Sequence, residues 1–590
     1  MKKLSIILFS VMLTLSLLVT PAGAAVMSLE AGTYSGNGEG MNGTIEVKVT
    51  VAKDEITNIE VVSENETDGM TDAVFEKIPE DILAYQSLAV DAVSGATFAS
   101  KGLLAAVTDA LKKAGADVDF LKNKKIEKKA AKKIEDRTTN VVVIGGGNAG
   151  LAAAVTASDQ GADVILLEKM PMLGGNSIRA GGAYNAVDPE RQKEQGIEDS
   201  VERHFYHTYT GGDKEGKIKL IYTLVDNANK GIDWLESMGM GFEDEIFTVL
   251  GALWPRSHAP SEPVGNGFIN TMRDQAEKNG VEILLNTKAE ELITEDGRVV
   301  GVKASTEDGN FEIRASQGVV MAAGGFAANV EMRKKYNPLL DEKTKTTNHP
   351  GATGDGIVMA EKVDADLVGM EYIQSLPLGD PKTGSLKGWA GMSVENYIFV
   401  NKNGERFVSE SDRRDVMTNA LIDQPDSFMY IVCDAHSMPA GSKNSFNETI
   451  EELVAKGKTL KAMTIKGLAE KMNVDPEAFA QTIEKYNKAV ETGDDEFGKT
   501  LFDKKLNKPP YYASPRVPTA HHTMGGIKIN SDTQVIDTDG NVIPGFFAAG
   551  EVTGGIHGTN RLGGNALPDT IVFGRIAGEA VVKNSPAEIK

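Results

Sequence analysis

The chain has 590 residues, of which 41% are hydrophobic and 25% charged, and its formal net charge is −22. This length exceeds what one hydrophobic core sustains, so we expect three or more domains. The negative charge argues against nucleic acid or an anionic membrane as a partner, but it does not exclude a small anionic ligand. The only cysteine, Cys433, excludes an intramolecular disulfide, a cysteine-held iron–sulfur cluster and a C-x-x-C-H haem site. Redox chemistry would therefore need organic cofactors; we expect no metal site and interpret Cys433 as a buried structural thiol.

Residues 1–24 predict a secretory signal peptide. Two lysines are followed by the apolar run LSIILFSVMLTLSLLV and then by PAGAA. A basic start, an apolar middle and small residues at the end are typical of a cleaved export signal. The alternative is a retained membrane anchor, although the run is short for a span. The mature protein is expected at the cell surface, in the periplasm or outside the cell.

Residues 28–117 form the first predicted domain. Alternating strand-like runs (TIEVKVTVAKDEITNIEVV) precede the run FASKGLLAAVTDALKKAGA, in which apolar residues recur at helical spacing. Residues 118–138 are dense in Lys and Glu, with little to bury, and are interpreted as a solvated helical or flexible linker.

A dinucleotide-binding unit begins at residue 139. The segment TNVVVIGGGNAGLAAAVTASDQGADVILLEK predicts a strand, a glycine turn, a helix and a second strand. Gly145, Gly147 and Gly150 fit G-x-G-x-x-G. Glu168 ends the second strand, at the position where a carboxylate can accept a hydrogen bond from a ribose hydroxyl. The alternative is a glycine turn that binds no nucleotide.

Further glycine-rich turns favour FAD over NAD. They lie at 174–182, 321–329 and 548–555, and such distributed turns suit a long flavin nucleotide. Residues 281–293 and 316–326 are interpreted as further βα-like pieces. From about residue 371 the succession of strand-like segments and glycine-rich turns stops, and it resumes after about residue 522. This pattern indicates one domain interrupted by another.

From about residue 139 onward the chain resembles the soluble fumarate reductase family of flavoproteins, which includes urocanate reductases and other 2-enoate reductases. The motifs that carry the resemblance are GGGNAG (145–150), GGNS (174–177), ATGDG (352–356), VNKNGERFVSESDRRD (400–415), HHTMGG (521–526) and HGTNRLGGNAL (557–567). The resemblance implies an FAD domain split by a mobile capping domain. Such enzymes reduce an activated C=C bond with a hydride from FAD and a proton from the protein.

The resemblance also implies roles for individual residues. Arg561 and His521 would hold the substrate carboxylate, and the sequence does not separate His521 from the adjacent His522. Arg414 would donate the proton, a role that requires a relay because guanidinium is hard to deprotonate.

For Arg414 and its neighbour Arg413 there is a simpler alternative. The two arginines could be a surface pair bridged to Asp412 and Asp415.

Two departures from the family pattern bear on the substrate. Leu376 stands where fumarate reductases of the family carry a His, and the segment 388–400 lacks their Thr-Glu pair. An isobutyl group cannot pair with a second carboxylate, so urocanate, cinnamates or small acrylates fit better than fumarate. Glu395 is a candidate to replace the missing Glu of the proton relay.

Residues expected to bind non-covalent FAD complete the predicted site. They are Gly145, Gly147, Asn148, Ala149, Gly150, Glu168, Gly175, Asn176, Ser177, Gly181, Gly182, Ala289, Asp355, Glu551, Gly564, Ala566 and Leu567.

The first domain resembles a small FMN-binding domain with the motif D-x-x-[ST]-G-A-T. Residues 91–97 match it, and the resemblance implies that a flavin transferase esterifies FMN phosphate to the hydroxyl of Thr97. The alternative is an ordinary turn in which Thr97 caps the following helix.

Together these patterns predict an α/β protein with a Rossmann-like FAD-binding domain (139–370 and 521–590) interrupted by an α+β capping domain (371–520). A small α+β FMN-binding domain precedes it. The leading hypothesis is an exported enoate reductase of anaerobic respiration that takes electrons through FMN from a membrane-associated or extracellular donor, without haem. The alternatives are a fumarate reductase, an FAD dehydrogenase or oxidase working in reverse, and an electron carrier.

Overall fold

The computed structural model describes residues 29–40, 43–64, 66, 71–93, 96–124, 126, 134–262, 264–391 and 393–587. The chain divides into two compact units, residues 1–129 and 130–590. The predicted signal peptide lies outside the described residues, as does much of the predicted linker.

In its described residues, the first unit consists of a three-stranded antiparallel sheet and three helices. Its elements are β1 (Gly32–Glu39), β2 (Thr44–Ala52), β3 (Glu55–Ser63), α1 (Asp72–Tyr85), α2 (Thr97–Lys113) and α3 (Val118–Asn123). Alternate residues of β2, from Ile45 to Val51, are buried, as expected for a strand with one face on the core. Helix α2 approaches β1 closely: a Cβ on Gly36 would lie 2.1 Å from the carbonyl oxygen of Ala106. Only glycine permits that contact.

The predicted FMN attachment site lies at the start of α2. Thr97 is the first residue of that helix and Ala96 occupies the N-cap position, so the alternative in which Thr97 is the cap is wrong. Ser94, Gly95 and the side chain of Thr97 lie outside the described residues, and the attachment of FMN there stays a prediction.

The second unit contains the remaining named elements. Its strands are β4 (Arg137–Ile144), β5 (Val164–Leu167), β6 (Tyr184–Asn185), β7 (Ser257–His258), β8 (Glu282–Leu284), β9 (Lys288–Glu295), β10 (Arg298–Thr306), β11 (Gly309–Met321), β12 (Lys345–Thr346), β13 (Leu367–Val368), β14 (Ile373–Gly379), β15 (Ile398–Asn401), β16 (Met429–Asp434), β17 (Leu460–Ala462), β18 (Tyr511–Thr523), β19 (Gly526–Lys528), β20 (Gln534–Ile536), β21 (Val542–Ala548) and β22 (Thr553–Gly554). Its helices are α4 (Asn148–Asp159), α5 (Pro189–Glu194), α6 (Val201–Gly211), α7 (Ile218–Ser237), α8 (Asn266–Lys278), α9 (Val330–Tyr336), α10 (Asp355–Glu361), α11 (Arg414–Ile422), α12 (Ile450–Ala455), α13 (Ile465–Met472), α14 (Pro476–Thr492) and α15 (Ala566–Lys583).

A largely parallel sheet in the order β20-β21-β11-β4-β5-β8 forms the centre of the dinucleotide-binding part. Strand β4 is paired in parallel with β5 and β11, and its last four residues are buried, which is why the segment is continuously apolar. The βα interpretation of residues 281–293 is wrong. This segment forms β8 and β9, and β9 pairs antiparallel with β10, so cross-strand pairing overrides the helix propensity of its Glu, Ala and Leu residues.

A second, six-stranded sheet is built around β18, which pairs with β12, β14, β16 and β17. Cys433 lies on β16 and is fully buried, as predicted. Strand β18 continues across the predicted domain boundary at residues 520–521, and the boundaries of the capping domain stay a prediction. Within the described part of the chain, no helix is both long and apolar enough to cross a membrane.

Candidate active site

The glycine turn between β4 and α4 lines a cavity whose wall also includes residues of the segments 167–170, 287–289 and 349–355. Gly145 has a φ of +111°, and a Cβ on Gly150 would lie 1.8 Å from the carbonyl oxygen of Gly145, so both positions require glycine. Helix α4 begins at Asn148, which lines the cavity. A helix N-terminus of this kind supplies N–H groups to a pyrophosphate.

Glu168 follows β5 and lines the same cavity. Its carboxylate accepts hydrogen bonds from the backbone N–H groups of Gly146 and Met170, both at 2.8 Å. Burial raises the pKa of Glu168 above its usual value.

Most of the residues predicted to bind FAD line this cavity. They are Gly145, Gly147, Asn148, Ala149, Glu168, Gly175, Asn176, Ser177, Ala289, Asp355 and Glu551. The predicted residues that do not line it are Gly150, Gly181, Gly182, Gly564, Ala566 and Leu567. The amide nitrogen and oxygen of the Asn148 side chain are buried and unpaired among the described residues, so the cavity fits a polar ligand such as FAD.

Sequence reasoning missed several residues of the cavity wall. Lys169 donates to Asp355 at 2.9 Å, and His349 lies on the wall with a pKa lowered to about 4, first by burial and then by nearby cations. The only signal was that His349 stands three residues before ATGDG.

Two buried arginines converge beside strand β14. Nη1 of Arg414 and Nη2 of Arg561 both donate to Oε1 of Gln374, each at 3.2 Å. Nε of Arg414 donates to the carbonyl of Leu250 at 3.0 Å. Neither guanidinium forms a salt bridge with any carboxylate that the structure describes. Burial lowers the pKa of Arg561 to about 10, and burial followed by the charge of Arg561 lowers that of Arg414. This arrangement favours an anionic ligand, because an anion would offset two desolvated positive charges.

A β-bulge lies at the two predicted histidines. On β14 and β18, Gln374 pairs with His522 while Ser375 pairs with Ala520, so His521 is the extra residue of the bulge. A bulge re-aims side chains and is common next to active sites. Burial, followed by the charge of Arg561, lowers the pKa of both histidines, which leaves the imidazoles neutral.

The two histidines have different partners. Nδ1 of His522 lies 3.6 Å from Oε1 of Glu551, a residue of the cofactor cavity wall. Nδ1 of His521 lies 2.8 Å from the hydroxyl of Thr347. His522 is therefore directed toward the cofactor cavity, which leaves His521 as the better candidate to contact a substrate.

The surface-pair interpretation holds in part for Arg413, whose ion-pair partners are Asp213 and Asp415 rather than Asp412 and Asp415, and it fails for Arg414. Arg413 contacts Asp213 and Asp415 at 2.6 Å each, with a partly exposed side chain. Arg414 is 6% exposed and points inward to Gln374.

Leu376 lies two residues after Gln374 on β14, so both side chains lie on the same face of the strand. Leu376 is 1% exposed and packs in an apolar cluster with Trp389 and Tyr397. Glu395 accepts a hydrogen bond from the hydroxyl of Ser393, and burial raises the pKa of Glu395. Its role in a proton relay stays a prediction.

Comparison with protein families matches residues 140–567 to the FAD binding domain and residues 40–112 to the FMN-binding domain. The chain belongs to the FAD binding domain family. These matches confirm the predicted FAD-binding fold, the N-terminal FMN-binding domain and both flavins as cofactors.

Curated relatives agree with the predicted oxidoreductase class. Urocanate reductase of Eggerthella lenta is 39% identical, over 95% of this chain and 93% of the relative. NADH:acrylate oxidoreductase of Vibrio harveyi is 39% identical over 94% of this chain, and NADH:fumarate oxidoreductase of Klebsiella pneumoniae is 38% identical over 91%. The chain spans only 61% and 57% of the length of those two proteins.

Among solved structures, the open conformation of a flavocytochrome c3 fumarate reductase is similar, with a TM-score of 0.62 and 34% identity. The match covers 78% of this chain and 82% of that one.

Proposed function

We propose that the protein is an exported reductase of the C=C bond of an α,β-unsaturated carboxylate. Electrons would enter through FMN on Thr97 and pass to FAD. The enzyme would act in anaerobic respiration, with the unsaturated acid as the electron acceptor. The observation that carries the proposal is the convergence of Arg414 and Arg561, both buried, on the amide of Gln374 beside His521.

Substrate binding is assigned to Arg561 and His521. The guanidinium of Arg561 is buried and charged, and can grip a carboxylate through two parallel N–H groups. A neutral imidazole at His521 can add one further donor. With the carboxylate held, the double bond of the substrate is oriented for reaction.

Proton donation is assigned to Arg414. When bound, FAD supplies a hydride to one carbon of the double bond. Arg414 then gives a proton to the other carbon, so that the two additions balance. Burial and the charge of Arg561 lower the pKa of Arg414, and this makes its guanidinium a stronger acid than in water. Glu395 is the candidate to restore the proton from solvent.

The distal end of the substrate is proposed to be uncharged. Leu376 offers no donor, and a second carboxylate desolvated against it would have no partner. Urocanate-like, cinnamate-like and acrylate-like acids have a distal group that can lie against the side chain of Leu376. Fumarate is the second candidate, because relatives at 38% and 36% identity are named NADH:fumarate oxidoreductase and fumarate reductase (cytochrome).

The remaining partners follow from the two flavins. A flavin transferase would esterify FMN to Thr97 after export, and a membrane-associated or extracellular donor would reduce it. We place the capping domain at residues 371–520, between the two parts of the FAD domain.

A substrate panel tests the proposal. The protein carrying both flavins is reduced with viologen dye and mixed with fumarate, urocanate, cinnamate, acrylate or methacrylate, and dye oxidation is followed. At least one of the four monocarboxylates should be reduced faster than fumarate. A preference for fumarate would overturn the inference from Leu376. Failure of every acid would overturn enoate reduction, and oxygen consumption with a saturated acid would favour a dehydrogenase or oxidase.

A further inference from the structure

The indole of Trp389 carries a buried N–H group that has no partner. Trp389 is 6% exposed, and Nε1 makes no hydrogen bond to any residue in the described part of the chain. The indole nitrogen of tryptophan can donate a hydrogen bond but cannot accept one. Burying such a donor without an acceptor costs free energy of folding. Such a group in a native fold calls for an explanation, and a ligand is one.

The position of Trp389 connects it to the proposed site. Its side chain packs in one cluster with Leu376 and Leu250. Leu376 lies on the same strand face as Gln374, which binds both arginines, and the carbonyl of Leu250 accepts from Arg414. Leu250, Leu376 and Trp389 therefore lie in an apolar cluster next to the proton donor, and we call this part of the cluster the apolar wall.

The orientation of the indole follows from its neighbours. A Cβ on Gly391 would lie 2.6 Å from Cζ3 and 3.1 Å from Cε3 of Trp389, so this edge of the indole faces the backbone at Gly391. The ring of Tyr397 lies edge-on, with the ring centroids 5.6 Å apart. Nε1 is on the opposite edge of the indole and points away from Gly391.

A buried ionic network holds this wall in place. Nζ of Lys499 donates to the carbonyls of Val394 at 2.8 Å and Tyr397 at 2.9 Å, and lies 3.3 Å from the carboxylate of Glu410. Glu410 in turn accepts from the backbone N–H of Phe399 at 2.9 Å. The carbonyl of Trp389 itself accepts from Asn444 at 3.0 Å. A wall fixed in this way leaves the indole little freedom to turn toward another acceptor.

We propose that Trp389 is a specificity residue whose N–H donates to a neutral acceptor on the distal group of the substrate, such as an aromatic ring nitrogen. This inference rests on the proposed enoate reduction. The cations near this wall already have partners: Lys499 is paired with Glu410, and Arg516 donates to the carbonyl of Gly388. A second carboxylate would be desolvated against apolar side chains at this wall, so a neutral acceptor is favoured over an anion.

Matched substrates and a minimal substitution test this role. Cinnamate and the three isomeric 3-pyridylacrylates have nearly the same shape, and only the pyridyl rings carry a neutral acceptor at mildly alkaline pH. Trp389→Phe removes the N–H and keeps an aromatic ring. Trp254→Phe is the control, because the N–H of Trp254 donates to the carbonyl of Glu198 at 3.2 Å, outside this wall.

We expect at least one pyridylacrylate to have a kcat/KM about tenfold above that of cinnamate, the value of one good hydrogen bond. In Trp389→Phe this ratio should fall to about one, and in Trp254→Phe it should persist. FAD absorbance and thermal melting show whether each variant is folded. A wild-type ratio near one, or a ratio that survives in Trp389→Phe, would overturn the role of Trp389. If the reduced protein converts none of these acids, none of the other monocarboxylates and no fumarate, the proposed function itself fails.

Discussion

Replacing Arg414 by alanine separates proton donation from substrate binding. A positioned general acid contributes about 100- to 10,000-fold to a rate, so kcat of Arg414→Ala should fall by about that factor. The guanidinium now donates to Leu250 at 3.0 Å and to Gln374 at 3.2 Å, and both bonds are lost. Arg561 keeps its own bond to Gln374 and is relieved of a repelling charge. The carboxylate clamp therefore survives, and KM should change little.

The neighbouring arginine provides the control. Arg413 is bonded to Asp213 and Asp415 and is partly exposed, so Arg413→Ala should cost at most about 1 kcal/mol of stability and leave kcat unchanged. Both variants are assayed by dye oxidation with the preferred enoate, after FAD content has been matched by absorbance. The reasoning is refuted if Arg414→Ala keeps kcat within about tenfold of the wild type, or if Arg413→Ala loses as much activity.

Three further predictions concern the flavin, the ionic network and acid stability. Thr97→Ala should abolish the covalent FMN, measured by mass spectrometry, and the reduction by an external donor, while FAD remains bound. A Thr33→Ala control should keep its covalent FMN. Covalent FMN on the Thr97→Ala variant would contradict the assignment. Lys499→Met removes a buried cation that contacts a carboxylate and two carbonyls, so urea unfolding should show a loss of about 3–5 kcal/mol. Lys485→Met, at an exposed ion pair, should change stability by less than about 1 kcal/mol, and equal losses would refute the network. Burial lowers the pKa of His204 from 6.5 to about 3, so the unfolded chain binds more protons at this residue between these values. His204 alone should therefore contribute a fall in stability of about 1.4 kcal/mol per unit as pH drops below 6.5. His204→Gln should show a correspondingly shallower slope in unfolding measured across this range, whereas identical slopes would exclude the histidine as a cause.

Much of the fold was predictable because its signals are local. The turn from β4 to α4 requires glycine at Gly145 and Gly150 for steric reasons, so the motif and the structure carry the same information. The interpretation of residues 281–293 failed because Glu, Ala and Leu favour a helix locally, whereas pairing with β10 is decided by a distant segment. His349 carried no local signal beyond its position three residues before ATGDG, because its place on the cavity wall depends on a distant segment: its backbone N–H donates to the side chain of Asn176.

The sequence by itself determined the cofactor class, the glycine turns and the candidate residues Arg414, His521 and Arg561. Only the tertiary structure decided how they meet. Gln374 on β14 joins arginines from α11 and from the loop before α15, segments far apart along the chain. The structure also separated Arg414 from its exposed neighbour and left the N–H of Trp389 buried without an acceptor. Burial and convergence arise from packing between distant segments, and the types and spacing of residues along one segment do not contain that information.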